Sequence, residues 1–129
     1  IYDENVITGY RNQIEFINKK TIETVDYILK NSIQKTIIVI QGDHGPMSGN
    51  ILDDPTPDLH DIHIKERMSI LNAIYFPDGN YLTLKQDLTP VNNLRIILNK
   101  YFNQNYEILK NEIYFSTYKN PEKYIKLNE

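Results

Sequence analysis

The sequence predicts an α/β layer structure, in which helices cover both faces of a mostly parallel sheet. Segments whose apolar residues recur at helical spacing alternate along the chain with short apolar runs. The longest of these runs, Ile37–Ile40, contains no polar residue. Such a run is typical of a strand buried on both faces of a parallel sheet. The 129 residues suffice for one domain, so we expect residues 1–129 to form a single α/β unit.

Residues 10–31 are predicted to form the first helix. Their apolar or small side chains recur at steps of three and four residues, at Tyr10, Ile14, Ile17, Thr21, Val25 and Ile28. Charged residues lie between these positions. The pattern is that of a helix that packs one face on a core and leaves the other face in water.

Two buried strands are predicted to follow, at residues 36–40 and 69–76. The first ends where polar residues and turn formers arrive together, in Gln41-Gly42-Asp43-His44-Gly45-Pro46. Residues 47–65 have no regular period and contain two prolines, so we interpret them as a long loop.

A second helix is predicted to begin at Thr89-Pro90, because threonine is a good N-cap and proline fits the first helical position. Its apolar face continues to about Asn103, and Asn92 and Asn93 are interpreted as polar residues of its surface. Residues 112–117 form a weaker strand candidate. Residues 118–129 have the composition of a polar tail.

Charge and composition exclude several classes of function. Lys and Arg number 14 against 17 Asp and Glu, a net charge of -3, so nucleic acid is not an expected partner. The absence of cysteine excludes a disulfide framework, a thiolate zinc site and a cysteine nucleophile. No apolar run reaches the roughly 20 residues that span a bilayer, so no transmembrane segment is predicted in this chain.

Asp43 and His44 are the first candidate site. They follow the most apolar strand candidate, and ligands of open α/β sheets bind beyond the carboxyl ends of the strands. A carboxylate and an imidazole are good ligands for zinc, manganese or another divalent ion. The alternative is a structural turn, in which Asp43 bonds local amides and His44 is exposed to solvent.

A second constellation lies in the predicted loop, where His60 and His63 are flanked by carboxylates and followed by Lys65. These side chains could add to a metal site or contact an anion, although the spacing matches no standard metal motif. The alternative is a solvated polar loop. Arg67 and Arg95 could each bind an oxyanion, but structural ion pairing is the role we expect for them.

The strand and turn of residues 36–45, with Gly42-Asp43-His44-Gly45 as the most specific part, resemble the alkaline phosphatase superfamily and in particular its sulfatase-like branch. The resemblance extends in order and spacing from about Tyr10 to Phe102. It implies an αβα sandwich, and it implies that Asp43 and His44 are ligands of the active-site metal, which we expect to be zinc, manganese or calcium. With two ligands, the chain is expected to hold the ion weakly.

The resemblance also implies a function. In that family the nucleophile and further acidic ligands lie far upstream, whereas this chain reaches the Asp-His turn after 42 residues. We therefore expect the C-terminal portion of a metal-dependent hydrolase or phosphotransferase acting on phosphate or sulfate esters, inactive alone. The parent protein would be membrane-anchored, with its catalytic domain outside the cytoplasm. His60, His63 and Lys65 would contact the anionic substrate. The alternative is a small non-catalytic α/β binding or interaction module.

Overall fold

The computed structural model describes residues 3–47, 51–85 and 88–127 of the chain. In chain order its elements are α1 (Glu4–Asn31), β1 (Ile38–Gln41), α2 (Asp61–Met68), β2 (Asn72–Tyr75), α3 (Asn93–Tyr101), β3 (Ile113–Phe115) and β4 (Ile125–Leu127). Two short 3-10 turns, Ile51–Asp53 and Pro90–Asn92, precede α2 and α3.

The strands form two small antiparallel sheets. β1 pairs with β2 so that Ile38 faces Tyr75 and Gln41 faces Asn72, and β3 pairs with β4. The predicted mostly parallel αβα sandwich is therefore wrong. A continuous apolar run does not encode strand direction, and burial alternates along β1, whose Val39 is 40% exposed. Alternation of this kind belongs to a sheet with one covered face and one wet face.

The long helix α1 begins where Asp3 caps it, since the Asp3 carboxylate accepts a hydrogen bond of 2.8 Å from the Asn5 amide. It contains no buried residue, and its second half borders a shallow groove beside β1, where Val25 and Ile28 lie near Ile38. The prediction of a core-packing helix is thus wrong, because most of its apolar side chains stay in water. Within the described residues, no helix combines the length and hydropathy needed to cross a bilayer.

The buried core lies between β2 and α3. Phe76, Ile96 and Ile97 are its buried members, and they pack against partly buried side chains of both elements, including Ile74 and Tyr101. The second predicted helix is confirmed here, although Thr89-Pro90 opens a 3-10 turn and the α-helix proper starts at Asn93. This helix could be predicted from the sequence because its apolar residues recur at helical spacing.

Two segments differ from their predicted structure. Helix α2 begins inside the predicted loop of residues 47–65 and ends beyond it at Met68, and β4 lies inside the predicted polar tail. Both elements are short, eight and three residues, so neither offers enough repeats for a period to stand out.

Buried amides join the first sheet to α3. Asn93 is 1% exposed, and its side-chain nitrogen donates to Asn72 Oδ1 at 2.7 Å and to Gln41 Oε1 at 3.0 Å. Asn92 is equally buried and exchanges two hydrogen bonds with the backbone of Leu109, at 2.9 and 3.0 Å. The interpretation of Asn92 and Asn93 as helix-surface residues is wrong, because both side chains are buried and each finds hydrogen-bond partners within the protein.

Beyond the carboxyl end of β2, Asp78 is held by α3. Partial burial opposes the ionisation of Asp78, but hydrogen bonds from the Asn80 amide, Lys100 and Tyr101 prevail and lower its pKa to about 2. The Tyr101 hydroxyl donates to Asp78 Oδ1 at 2.8 Å. Burial, together with this bond to a carboxylate, raises the pKa of Tyr101 to about 12.

We expect Asn93→Ala to lower the free energy of unfolding by about 2 kcal/mol, because the buried amide no longer bridges the half-buried Asn72 and the exposed Gln41. Asn99→Ala is the matched control. Asn99, which is half-buried, also exchanges two hydrogen bonds, with the backbone of Tyr106, but these bonds are exposed to water, so about 1 kcal/mol is expected. Urea denaturation measures both variants, and equal losses would contradict a special role for the Asn93 amide.

In Tyr101→Phe, the free energy of unfolding should decrease less steeply with rising pH in the alkaline range. The pKa of Tyr101 is raised from 10.0 to about 12 by folding, so its stabilising contribution is complete below pH 10 and is lost as the pH rises through about 12. The unfolding free energy of the original protein should therefore fall more steeply between pH 10 and 12 than that of the variant. Tyr118→Phe, at an exposed position, should keep the original slope. Parallel curves for all three proteins would refute the assignment.

Candidate functional site

The Asp43-His44 turn lies at the end of β1, and two backbone hydrogen bonds tie it to the last turn of α2 and to the segment between α2 and β2. The Gly42 amide donates to the Leu71 carbonyl at 2.8 Å, and the Gly45 amide donates to the Arg67 carbonyl at 2.8 Å. These bonds fix the backbone on both sides of Asp43 and His44. The two candidate ligands therefore stand on a turn whose position is set by main-chain contacts.

Gly45 is buried because the backbone of α2 approaches it closely. A Cβ atom placed on Gly45 would overlap the carbonyl oxygen of Glu66, which is main chain and cannot rotate away. The sequence indicated a glycine in a turn, but it did not indicate that the backbone of α2 approaches this glycine. A glycine is required here by the close approach of two backbones.

The side chains of Asp43 and His44 converge. Asp43 Oδ1 accepts a hydrogen bond of 2.9 Å from the His44 amide, and Asp43 Oδ2 lies 3.4 Å from His44 Nε2. Backbone hydrogen bonds, from the His44 amide first, lower the pKa of Asp43, and the nearby charge of Arg67 acts in the same direction. The side chains are 86% and 50% exposed, so an ionised carboxylate and an imidazole stand together at the surface.

The donor atoms of this pair fit two positions of a divalent-metal site. Two ligand atoms at about 2.0–2.1 Å from a tetrahedral zinc are separated by about 3.4 Å, which matches the spacing of Oδ2 and Nε2. A complete protein site usually needs three or four ligands. In residues 3–47, 51–85 and 88–127, no group of three or more His, Asp or Glu side chains is arranged to hold a metal ion.

An open cleft of about 860 Å³ adjoins the pair. Asp43, His44 and Arg67 line one part of it, and Lys85 and Thr89 line another. The cleft has both cationic and hydroxyl groups within one concave surface. Two acidic residues, Asp43 and Glu112, line it as well, so Arg67 and Lys85 offer local contacts for an anion within a wall of mixed charge.

The sequence did not predict that Arg67 contacts the His44 ring. We expected structural ion pairing, but its guanidinium Nη1 lies 2.6 Å from His44 Nδ1 and 3.0 Å from the Gly45 carbonyl oxygen. His44 Nδ1 is itself 3.0 Å from the same carbonyl. This contact could not be predicted from sequence spacing, because 23 positions separate His44 and Arg67. The packing of the turn on α2 brings the two side chains together.

His63 and Lys65 lie on α2, and His60 immediately precedes it. His60 caps this helix, His63 Nδ1 accepts a hydrogen bond of 3.3 Å from the His60 amide, and His60 Nε2 lies 3.4 Å from Asp58 Oδ2. The described residues that line the cleft include none of these three side chains. The structure thus gives His60 and His63 a local capping role, and their contact with a substrate stays a prediction.

Comparison of the chain with protein-family models, with curated proteins and with solved structures gave no match. The resemblance of residues 36–45 to the alkaline phosphatase superfamily therefore rests on the motif alone. A functional assignment depends on the geometry of the cleft and on the Asp43-His44 pair beside it.

We expect Gly45→Ala to lower the free energy of unfolding by about 3 kcal/mol or more, because the new methyl group overlaps the Glu66 carbonyl. Gly9→Ala is the control, since a Cβ at Gly9 on α1 meets no atom and should stabilise the helix by about 1 kcal/mol. Urea denaturation of both variants gives the sign directly. A Gly45→Ala protein as stable as the original would show that the turn and α2 can move apart.

Proposed function

We propose that this chain forms part of a metal-dependent hydrolase or phosphotransferase that acts on phosphate or sulfate esters, and that Asp43 and His44 supply two of its metal ligands. The single observation that carries this proposal is the 3.4 Å approach of Asp43 Oδ2 to His44 Nε2 at the edge of a cleft. The ion we propose is zinc, manganese or calcium, held weakly by these two ligands.

The electrostatics of the turn support the proposed role of Asp43. A metal ligand must be deprotonated, and the hydrogen bonds that lower the pKa of Asp43 below its ordinary value extend its ionised range toward acid pH. One carboxylate oxygen is occupied by the His44 amide, so the other oxygen is oriented toward the imidazole. The side chain is thus pre-organised before any ion arrives.

The cleft supports the proposed substrate class. Arg67 presents a guanidinium beside the Asp43-His44 pair, and Lys85 adds a second cationic group to the wall. Both are suitable partners for the oxygens of a phosphate or sulfate ester. When bound, a divalent ion would polarise such an ester or activate the attacking nucleophile.

The remaining parts of the site belong to the proposal as well. The nucleophile and the other ligands would come from polypeptide outside the described residues, so the chain alone should not hydrolyse esters. His60, His63 and Lys65 would contact the anionic substrate.

The experiment is a zinc chloride titration of the isotope-labelled chain, followed by NMR. We expect zinc to shift the resonances of His44 before those of the other histidines, and Asp43→Asn to weaken this binding roughly tenfold or more. Asp58→Asn is a matched control, because Asp58 Oδ2 stands 3.4 Å from His60 Nε2 in the same relation. It should leave the response of His44 unchanged.

Two results would contradict the proposal. One is a zinc-induced shift of His60 that leaves His44 untouched, and the other is an Asp43→Asn variant with altered stability and unaltered zinc affinity. Either result would favour the alternative, a non-catalytic binding or interaction module in which Asp43-His44 is a structural turn.

A further inference from the structure

Arg67 and the Gly45 carbonyl compete for the same nitrogen of His44. Arg67 Nη1 lies 2.6 Å from Nδ1, and the Gly45 oxygen lies 3.0 Å from Nδ1. A guanidinium carries donors only, so Nδ1 must be unprotonated to accept from Arg67. A carbonyl is an acceptor, so Nδ1 must carry a proton to bond Gly45. The two bonds cannot exist together.

The choice at Nδ1 decides what the opposite side of the ring presents to Asp43. A neutral imidazole has one proton, so when Nδ1 accepts from Arg67 the proton is on Nε2, facing Asp43 Oδ2 at 3.4 Å. In that tautomer Nε2 has no lone pair for a metal. When Nδ1–H donates to Gly45, Nε2 has its lone pair available, which is the usual arrangement of a metal-bound histidine.

We propose that Arg67 holds His44 in the tautomer that cannot ligate a metal through Nε2, and that an oxyanion such as a sulfate or phosphate ester promotes metal binding by drawing the guanidinium away from Nδ1. Arg67 is thus a positioning residue that couples the two ligands of the cleft. This inference rests on the proposed function, because it takes Asp43 and His44 as the metal-binding pair.

Hydrogen-bond strengths favour the exchange. In the structure the guanidinium bonds two neutral acceptors, an imidazole nitrogen and a carbonyl oxygen. Hydrogen bonds between two charged partners are stronger, and an oxyanion can accept two from one guanidinium. Arg67 and His44 line the same cleft, so an anion bound there by Arg67 would lie beside the metal pair. The coupling is reciprocal, so bound metal must also raise the affinity for the anion.

The first test reads the tautomer of His44 without any metal. Long-range proton–nitrogen NMR correlations of the ¹⁵N-labelled chain identify which ring nitrogen carries the proton, and single substitutions of His60 and His63 assign the signals. We expect Nε2–H in the original chain and Nδ1–H in Arg67→Met, which has no donor. Arg11→Met, an equal change of charge on the exposed surface of α1, should keep Nε2–H.

The second test measures zinc affinity with and without sodium sulfate, against sodium chloride of equal ionic strength. We expect Arg67→Met to bind zinc roughly tenfold more tightly than the original chain, and sulfate to strengthen zinc binding by the original chain severalfold. Sulfate should have no such effect on Arg67→Met. A purely structural arginine would predict weaker zinc binding after substitution, so the sign separates the two roles.

The inference is overturned if metal-free His44 already carries its proton on Nδ1, or if Arg67→Met leaves the tautomer at Nε2–H. It is also overturned if sulfate strengthens zinc binding equally with and without Arg67, because the anion then acts on the metal directly. Should Arg67→Met fail to fold, sulfate added to the metal-free original chain must itself move the proton toward Nδ1, and a failure to do so overturns the inference.

The tests separate this inference from the proposed function. Loss of zinc binding in every protein, with the tautomers as expected, overturns Asp43-His44 as a metal site and the coupling with it. Zinc binding at His44 that is indifferent to Arg67 retains the proposed function and overturns the inference alone.

Discussion

The buried side chain of Asn93 is the point at which the separate parts of the first sheet meet α3. Its amide bridges Gln41 at the end of β1 and Asn72 at the start of β2. Those two residues also face each other in the strand register, so one amide closes the sheet and docks it on a helix. Amides that are buried and satisfied specify one arrangement, because any shift leaves polar groups without partners.

The position of the Asp43-His44 turn follows from this junction. Gln41 stands two residues before Asp43, and Asn72 follows directly on Leu71, whose carbonyl accepts from Gly42. The junction and the backbone bonds of Gly42 and Gly45 therefore form a continuous set of polar contacts. Few hydrophobic residues are buried in the described part of the chain, and the residues next to the site are joined mainly by these polar contacts.

The sequence predicts local structure well where a pattern repeats and poorly where partners are distant. The helices around residues 10–31 and 93–101 and the strand near residues 36–40 were predictable from periodicity and caps. The direction of strand pairing was not, since an apolar run suits either a parallel or an antiparallel neighbour. At the candidate site the chemistry of Asp43 and His44 could be predicted, but the contact of Arg67 with the ring could not, because it depends on how α2 packs.

The backbone bond between Gly45 and Arg67 has a consequence for how fast the cleft can respond. With the main chain of Arg67 pinned, the guanidinium can leave His44 only by rotation about its own side-chain bonds. Side-chain rotations at partly exposed positions take picoseconds to nanoseconds, whereas loop and domain motions take far longer. The Arg67 guanidinium would thus exchange between His44 and a bound anion faster than ligands arrive by diffusion. The rate of ligand arrival would then limit how fast the site responds.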